Sequence, residues 1–446
     1  MSEELLPENE FLRELFDELN HNDLGYCVLR NYESLPYNLG GSDLDLAVLP
    51  EHKQRVADIV LDIARRKGGV AITDYVSSGR MIRLLGCCNG IWWGAAVDLF
   101  WKMEYKGVEY IPTKKVIDRA SDYRGIKVAG DYDASLIALV KELLSNGKTR
   151  KDYFPEMVKT YGERGADSFE VLEGAFSQGA IDVLRQHLEA NDDSKESLYL
   201  LAEKLRADVI QRKWIFKLGA RARNTFSKYQ RVIRPPGYSI AVLGTDGSGK
   251  TTMIDAVTPL LEQALHSKIQ YEHLRPNWLP PLGVATGKRP SGDGSPVTAP
   301  HAQKNSRFVG SLIRLVYYSM DYTIGYWLKI YPRLVKRPHI CLFDRYYYDF
   351  LLDPCRMRIA LPHWMMRLVL MFAPQPRLIL CLGGDPELIY LRKPETSLAE
   401  VTRQVDELKE LCTKNSRAKW IDTGMSVKDS KDQVLRAIQS ALSVQD

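Results

Sequence analysis

Residues 238–252 run Tyr-Ser-Ile-Ala-Val-Leu-Gly-Thr-Asp-Gly-Ser-Gly-Lys-Thr-Thr, an apolar stretch that enters Gly244-x-x-x-x-Gly249-Lys250-Thr251. That spacing predicts a phosphate-binding loop. Its glycines let backbone N–H groups curl around a polyphosphate, Lys250 reaches the terminal phosphates, and the Thr251 hydroxyl suits Mg²⁺. Asp246, Gly247, Ser248 and Thr252 complete the loop, whose expected ligands are ATP and Mg²⁺. A glycine turn without a ligand is the alternative. Further on, His339-Ile-Cys-Leu-Phe-Asp344-Arg345-Tyr-Tyr-Tyr-Asp349 reads as an apolar strand ending in a carboxylate. Asp344 there can hold Mg²⁺ and Arg345 can fix an anionic acceptor, although a strand-end ion pair would look the same. Arg392 and Lys393 could close over a phosphoryl group in transfer, whose charge must be neutralised. A solvated charge cluster is the other reading of that pair. A separate group lies near the N-terminus. Asp43 and Asp45 stand at i and i+2, so on a strand they project to one side, and Asp98 sits in a second apolar run, Ala95–Phe100. Three such carboxylates could share a divalent metal, whereas a turn with capping carboxylates would explain the first two.

Elements must position these groups. The helix after the loop is expected from about Lys250 to Leu265, with the positive end of its dipole aimed at the same anion. Apolar runs at Ser239–Leu243, Ile269–Leu274, His339–Phe343, Leu378–Leu382 and Trp420–Asp422 alternate with helical patterns, as a parallel sheet covered on both faces requires. Residues 284–306, rich in Gly, Pro and Ser, read as a loop. Residues 1–130 mix helix and strand: Phe11, Leu12, Leu15, Phe16 and Leu19 form an amphipathic start that leads to a strand at Tyr26–Leu29. Residues 131–235 look mostly helical, with apolar spacing at Leu136, Leu139, Val140, Leu143 and Leu144. Arg234-Pro235-Pro236-Gly237 breaks that pattern. The expected organisation is therefore 1–130, a helical connecting region at 131–235, and 236–446.

A chain of 446 residues needs two or three domains. With 45% apolar and 26% charged residues, it has the composition of a soluble globular protein. No run is long and apolar enough to suggest a membrane span, and the N-terminus has no signal-peptide pattern. Seven cysteines without a C-x-x-C pair point to a reducing cytoplasm. A net charge of +5 implies no nucleic-acid partner by itself. One local excess stands out: nine Lys/Arg between Leu205 and Arg234, against the single acid Asp208, interleaved with aromatics. A linker helix is the first reading, a surface lying on anionic lipid the second, and nucleic acid the third.

The motifs of residues 238–446 resemble the thymidylate kinase-like branch of P-loop kinases. That resemblance implies a contact from Asp246 to an acceptor hydroxyl, roles for Asp344 and Arg345 toward metal and acceptor phosphate, and a lid bearing Arg392, with Lys393 as a second candidate cation. Ser248 stands where some members carry an extra basic residue. Residues 20–130 resemble the polymerase-β-like nucleotidyltransferase fold, which implies a metal centre on Asp43, Asp45 and Asp98. Leu29-Arg30-Asn31 stands where that family carries a Gly-Ser turn, which leaves Arg30 as the candidate to bind phosphate instead. The expected fold class is thus α/β: a C-terminal P-loop kinase with a parallel sheet, an α+β nucleotidyltransferase-like N-terminal domain, and a helical middle. The whole arrangement resembles bacterial proteins of exopolysaccharide and O-antigen loci. It implies a cytoplasmic Mg²⁺-dependent phosphotransferase acting on a nucleoside monophosphate or a sugar intermediate of polysaccharide assembly. Nucleotidyl transfer with a regulatory P-loop domain is one alternative; an ATP-gated scaffold at the inner membrane face is the other.

Overall fold

The computed structural model describes residues 6–76, 78–164, 166–212, 229–285, 307–336, 338–354 and 356–443. The chain divides into two compact units, Met1–Gln230 and Arg231–Asp446. The 205–234 basic segment falls largely on 213–228 and the 284–306 loop largely on 286–306, both outside the described residues.

The first unit is built on a seven-stranded mixed sheet in the order β3-β4-β5-β2-β1-β9-β8. Its strands are β1 (Tyr26–Val28), β2 (Leu44–Val48), β3 (Gly69–Val76), β4 (Gly79–Cys88), β5 (Ile91–Phe100), β8 (Ser121–Tyr123) and β9 (Ile126–Val128), with β6 (Met103–Tyr105) and β7 (Val108–Ile111) pairing separately. The helices are α1 (Pro7–His21), α2 (Lys53–Arg66), α3 (Thr113–Asp118), α4 (Asp131–Asn146), α5 (Tyr153–Arg164), α6 (Gln178–Glu189) and α7 (Lys195–Arg212). Period-two alternation sorts the strand side chains onto two cores. Leu44, Leu46 and Val48 join α1 and α2 through Phe11, Leu15, Val56 and Val60. Cys27 and Ala47 join the helical layer through Leu139, Leu143 and Met157. Residues 131–212, expected as a connecting region, therefore form one wall of the first unit. Several strands, β4 above all, escaped the sequence reading. Gly79–Cys88 is buried on both faces over most of its length, so its polar and apolar residues do not alternate.

The second unit is a five-stranded parallel sheet in the order β11-β12-β10-β13-β14. Its strands are β10 (Tyr238–Gly244), β11 (Gln270–His273), β12 (Ile340–Asp344), β13 (Leu378–Gly383) and β14 (Ala418–Asp422), each within a residue or two of its expected position. Every residue of β10, β12 and β13 is buried, as a parallel sheet sandwiched between helices requires. Flanking helices are α8 (Lys250–Leu265), α9 (Phe308–Lys336), α10 (Asp349–Leu352), α11 (His363–Leu370), α12 (Pro386–Arg392), α13 (Leu398–Lys414) and α14 (Val427–Ser443). Helix α9 switches to π-helical bonding over Asp321–Ile330. Strand order reverses beside β10, which opens a crevice at the carboxyl ends of the strands.

Asp321 ties α9 to the loop after β11. It is fully buried, and its carboxylate takes the Arg275 guanidinium at 2.9 Å and the backbone N–H groups of Trp278 and Leu279 at 2.8 and 3.1 Å. Removing one partner of a buried pair strands the other charge. Asp321→Ala is expected to destabilise the second unit by about 3–5 kcal/mol, read as a lowered midpoint in urea unfolding. An unchanged midpoint would contradict this reading of the contact.

Candidate functional site

Strand β10 delivers the glycine loop into the crevice. Gly247 and Gly249 take φ of 85° and 82°, a region costly for residues with a Cβ. At Gly244 the limit is space, since a Cβ there would lie 2.4 Å from Ser248 Oγ and 2.7 Å from the Leu382 carbonyl oxygen. Helix α8 begins at Lys250, and Thr251 and Thr252 stand exposed in its first turn.

Lys250 is buried, and its ammonium folds back over the loop to donate to the carbonyls of Gly244 and Thr245 at 2.9 and 2.8 Å. Burial and then the nearby Arg345 charge lower its pKa to about 7, against the opposing pull of Asp246, Asp344 and Asp349. Asp246 is gripped on both oxygens. Arg345 Nη2 donates to Oδ1 at 2.5 Å, and Arg356 Nη2 donates to Oδ2. Burial opposes ionisation of Asp246, but Arg345, Arg356 and Lys250 outweigh it and hold the pKa at about 2. Arg345 takes a left-handed φ of 71°. Its N–H donates to the Val242 carbonyl and its other guanidinium nitrogen to Asp349 at 2.9 Å. Thus Arg345, expected to meet an acceptor directly, spends its donors on Asp246 and Asp349.

Asp344 ends β12 in register with Val242 of β10. Oδ2 accepts from the Tyr271 hydroxyl at 2.7 Å, and His273 Nδ1 lies 3.3 Å away. Burial opposes ionisation here too, but those two contacts and Lys250 keep the pKa below the usual carboxylate value. Its second oxygen, Oδ1, is buried without a hydrogen-bond partner, as are Thr245 Oγ1 and Ser248 Oγ. A buried carboxylate oxygen left over is the chemistry a hard cation takes, so Asp344 fits the Mg²⁺ expected beside Thr251. The residues expected to form a lid stand at the end of α12, where the 393–397 link to α13 begins. Arg392 donates both Nη groups to the Thr423 carbonyl at 3.2 Å, and the Lys393 ammonium pairs with Glu395 at 2.9 Å.

Arg356, Tyr271, His273 and Asp349 escaped the sequence reading as site residues. Asp349 closes the quoted motif and Arg356 follows Asp353 at i+3, but neither spacing says that the chain loops back to Asp246.

In the first unit, Asp43, Asp45 and Asp98 come together, their nearest oxygens all within 4.8 Å of one another. Pairing of β2 with β5 sets Asp45 beside Asp98. The expected Gly-Ser position is filled by Arg30, whose Nε donates to Asp45, whose Nη2 is 3.8 Å from Asp43, and whose Nη1 donates to Tyr153 at 2.8 Å. Arg83 Nη1 donates to Asp98. Burial raises the Asp45 pKa despite Arg30. The donors are the hard oxygens Mg²⁺ prefers, yet Asp45 and Asp98 each already carry a guanidinium. An ion entering there has to use the remaining oxygens or displace an arginine.

No family model matches the chain, and no curated protein matches it. Among solved structures it is similar to a thymidylate kinase from Ehrlichia chaffeensis, at 13% identity and a TM-score of 0.31, over 45% of this chain and 98% of that one. No helix among the described residues is long and apolar enough to cross a membrane.

The Asp246 clamp carries a pH signature. A carboxyl with a folded pKa near 2 and an ordinary value of 3.8 stabilises the fold above pH 4, and that contribution is lost as pH falls through 2. Asp246→Asn should cost about 2 kcal/mol at pH 5, and the gap to wild type should narrow by about half at pH 3. Urea unfolding at both pH values measures it. A gap independent of pH would count against the clamp.

Proposed function

We propose that the second unit is a Mg²⁺-dependent ATP phosphotransferase. The observation that carries this reading is the buried Lys250, caged by its own loop's carbonyls beside a carboxylate with a spare buried oxygen. A cation held out of water this way is poised to exchange weak carbonyl partners for phosphate oxygens. Backbone N–H groups of the loop and the start of α8 would receive the polyphosphate. Asp344 and Thr251 would hold Mg²⁺, which supplies charge neutralisation across the phosphates. Lys250 would steady the transferring group from the loop side, and Lys393, exchanging Glu395 for phosphate, from the lid side. Arg345 positions Asp246 through their ion pair. Asp246 and Arg356, at the rim, would orient the acceptor hydroxyl and any anionic group the acceptor bears. A nucleoside monophosphate and a sugar intermediate of polysaccharide assembly both suit that pair.

Purified protein with ATP, Mg²⁺ and a panel of both acceptor types should release ADP. Lys250→Ala should reduce that release at least 100-fold, and Asp344→Asn should raise the Mg²⁺ requirement. No ADP above the Lys250→Ala background with any acceptor would sink the proposal. Because the Lys250 pKa is about 7 among its own loop carbonyls and the amine would be charged against phosphate, ATP binding at pH 8 should take up about one proton. Calorimetry in two buffers of different ionisation enthalpy measures this uptake, and none would contradict the assigned contact.

The convergence of Asp43, Asp45 and Asp98 supports a second reading, nucleotidyl transfer by the first unit. Label from the ATP α-phosphate should then reach an acceptor and vanish in Asp45→Ala. This reading stands behind the first because Arg30 and Arg83 already neutralise the carboxylates.

A further inference from the structure

The carboxylates Asp43, Asp45 and Asp98 meet three cations of their own unit. Arg30 arrives from the segment after β1. The Leu29 N–H extends the strand ladder by donating to the Asp45 carbonyl at 2.9 Å, so the chain leaves the sheet beside that residue. The Arg30 guanidinium then has three partners. Nε donates to Asp45, Nη2 lies 3.8 Å from Asp43, and Nη1 donates to the Tyr153 hydroxyl of α5 at 2.8 Å. Arg83, buried on β4, donates Nη1 to Asp98. Lys141, exposed on α4, sets its ammonium 4.9 Å from the centre of the Phe100 ring, and its charge reaches Asp45. The segment that carries Arg30 is itself tied down. Asn31 takes a left-handed φ of 55°, and its Nδ2 donates to Ser42 Oγ at 2.7 Å, one residue before Asp43.

We infer that Arg30 takes the place of a divalent metal, and that the first unit holds no Mg²⁺ on these three carboxylates. Charge is the first ground. Three acids and three cations make a neutral set, and a divalent ion would add two positive charges beside Arg30. Asp45 and Asp98 are buried, so water screens that repulsion poorly. Coordination is the second. Mg²⁺ demands a near-ideal octahedron of oxygens and gives up its water reluctantly, whereas a guanidinium serves carboxylates through fixed N–H donors. The third ground is the cost of making room. Expelling Arg30 would break its contacts with Asp45 and Tyr153 together, and breaking a buried pair is strongly destabilising. The centre so read is a lock: Asp45 belongs to the sheet, Tyr153 to the helical layer, and Arg30 joins the two. This inference concerns the first unit alone and is independent of the ATP site proposed for the second. It decides against metal-dependent nucleotidyl transfer at this cluster.

Mn²⁺ binding followed by electron paramagnetic resonance tests the inference. The parent protein is the full chain without nucleotide, carrying Asp344→Asn to silence the Mg²⁺ position proposed in the second unit. Titration to about 1 mM Mn²⁺, the weak end of carboxylate-site affinities, should show no ion whose binding depends on Asp45. Arg30→Met should bind one Mn²⁺ at least tenfold more tightly than the parent, and adding Asp45→Asn should abolish that binding. Mg²⁺ should likewise raise the thermal unfolding midpoint of Arg30→Met and leave the parent's unchanged. Should Arg30→Met fail to fold, Arg30→Gln keeps a donor toward Asp45 without the charge, and the parent titration is decisive by itself. Mn²⁺ bound by the parent and lost on Asp45→Asn would overturn the inference. A folded Arg30→Met or Arg30→Gln protein that binds no Mn²⁺ would overturn it as well.

Discussion

A buried ammonium at the mouth of the central strand is the constraint around which the second unit is arranged. Lys250 has left water, and the charged form survives only where the protein replaces the lost hydration. Two loop carbonyls do part of this and Asp246 adds charge, while Arg345 works in the opposite direction. The result is an amine whose pKa lies near neutrality, held over the glycine loop. An incoming polyanion would relieve that tension, which is the physical basis of the proposed phosphate site.

The acids and arginines around the loop form one connected set. Asp246 joins Arg345 and Arg356, Arg345 joins Asp349, and Arg356 lies beside Asp353 at 3.3 Å. Each buried charge has an opposite within reach, so the set is rigid as well as neutralised. Three segments distant in sequence, the loop, the turn after β12 and residues 353–356, are thereby fixed to one another. The same logic operates in the first unit with the signs reversed. There three carboxylates converge, and Arg30 and Arg83 come to them.

Much of the fold was legible because both units follow simple periodicities. All five parallel strands of the second unit and the whole of α8 lie where apolar runs and the glycine loop put them. The first unit was less legible. Strand β4 shows little alternation because both its faces are largely buried, and the turn at Arg124-Gly125 lies between runs too short to stand out. The helices after residue 130 showed their apolar stripes but not their destination. They pack on the first sheet, and Tyr153 from α5 reaches Arg30 at the carboxylate cluster.

Local chemistry was therefore the property of the sequence by itself: a glycine-rich loop after a strand, a lysine and a threonine at a helix start, and carboxylates at strand ends. Those features depend on neighbours within a few residues, and spacing encodes them directly. The pairings were decided by tertiary structure. Asp246 and Arg356 are 110 residues apart, and no periodicity specifies such a partner. Likewise, only the packing decides which apolar positions of α9 the core claims. A helix apolar on nearly all sides buries one face in its own fold, and only the packing of that fold reveals which face is left over.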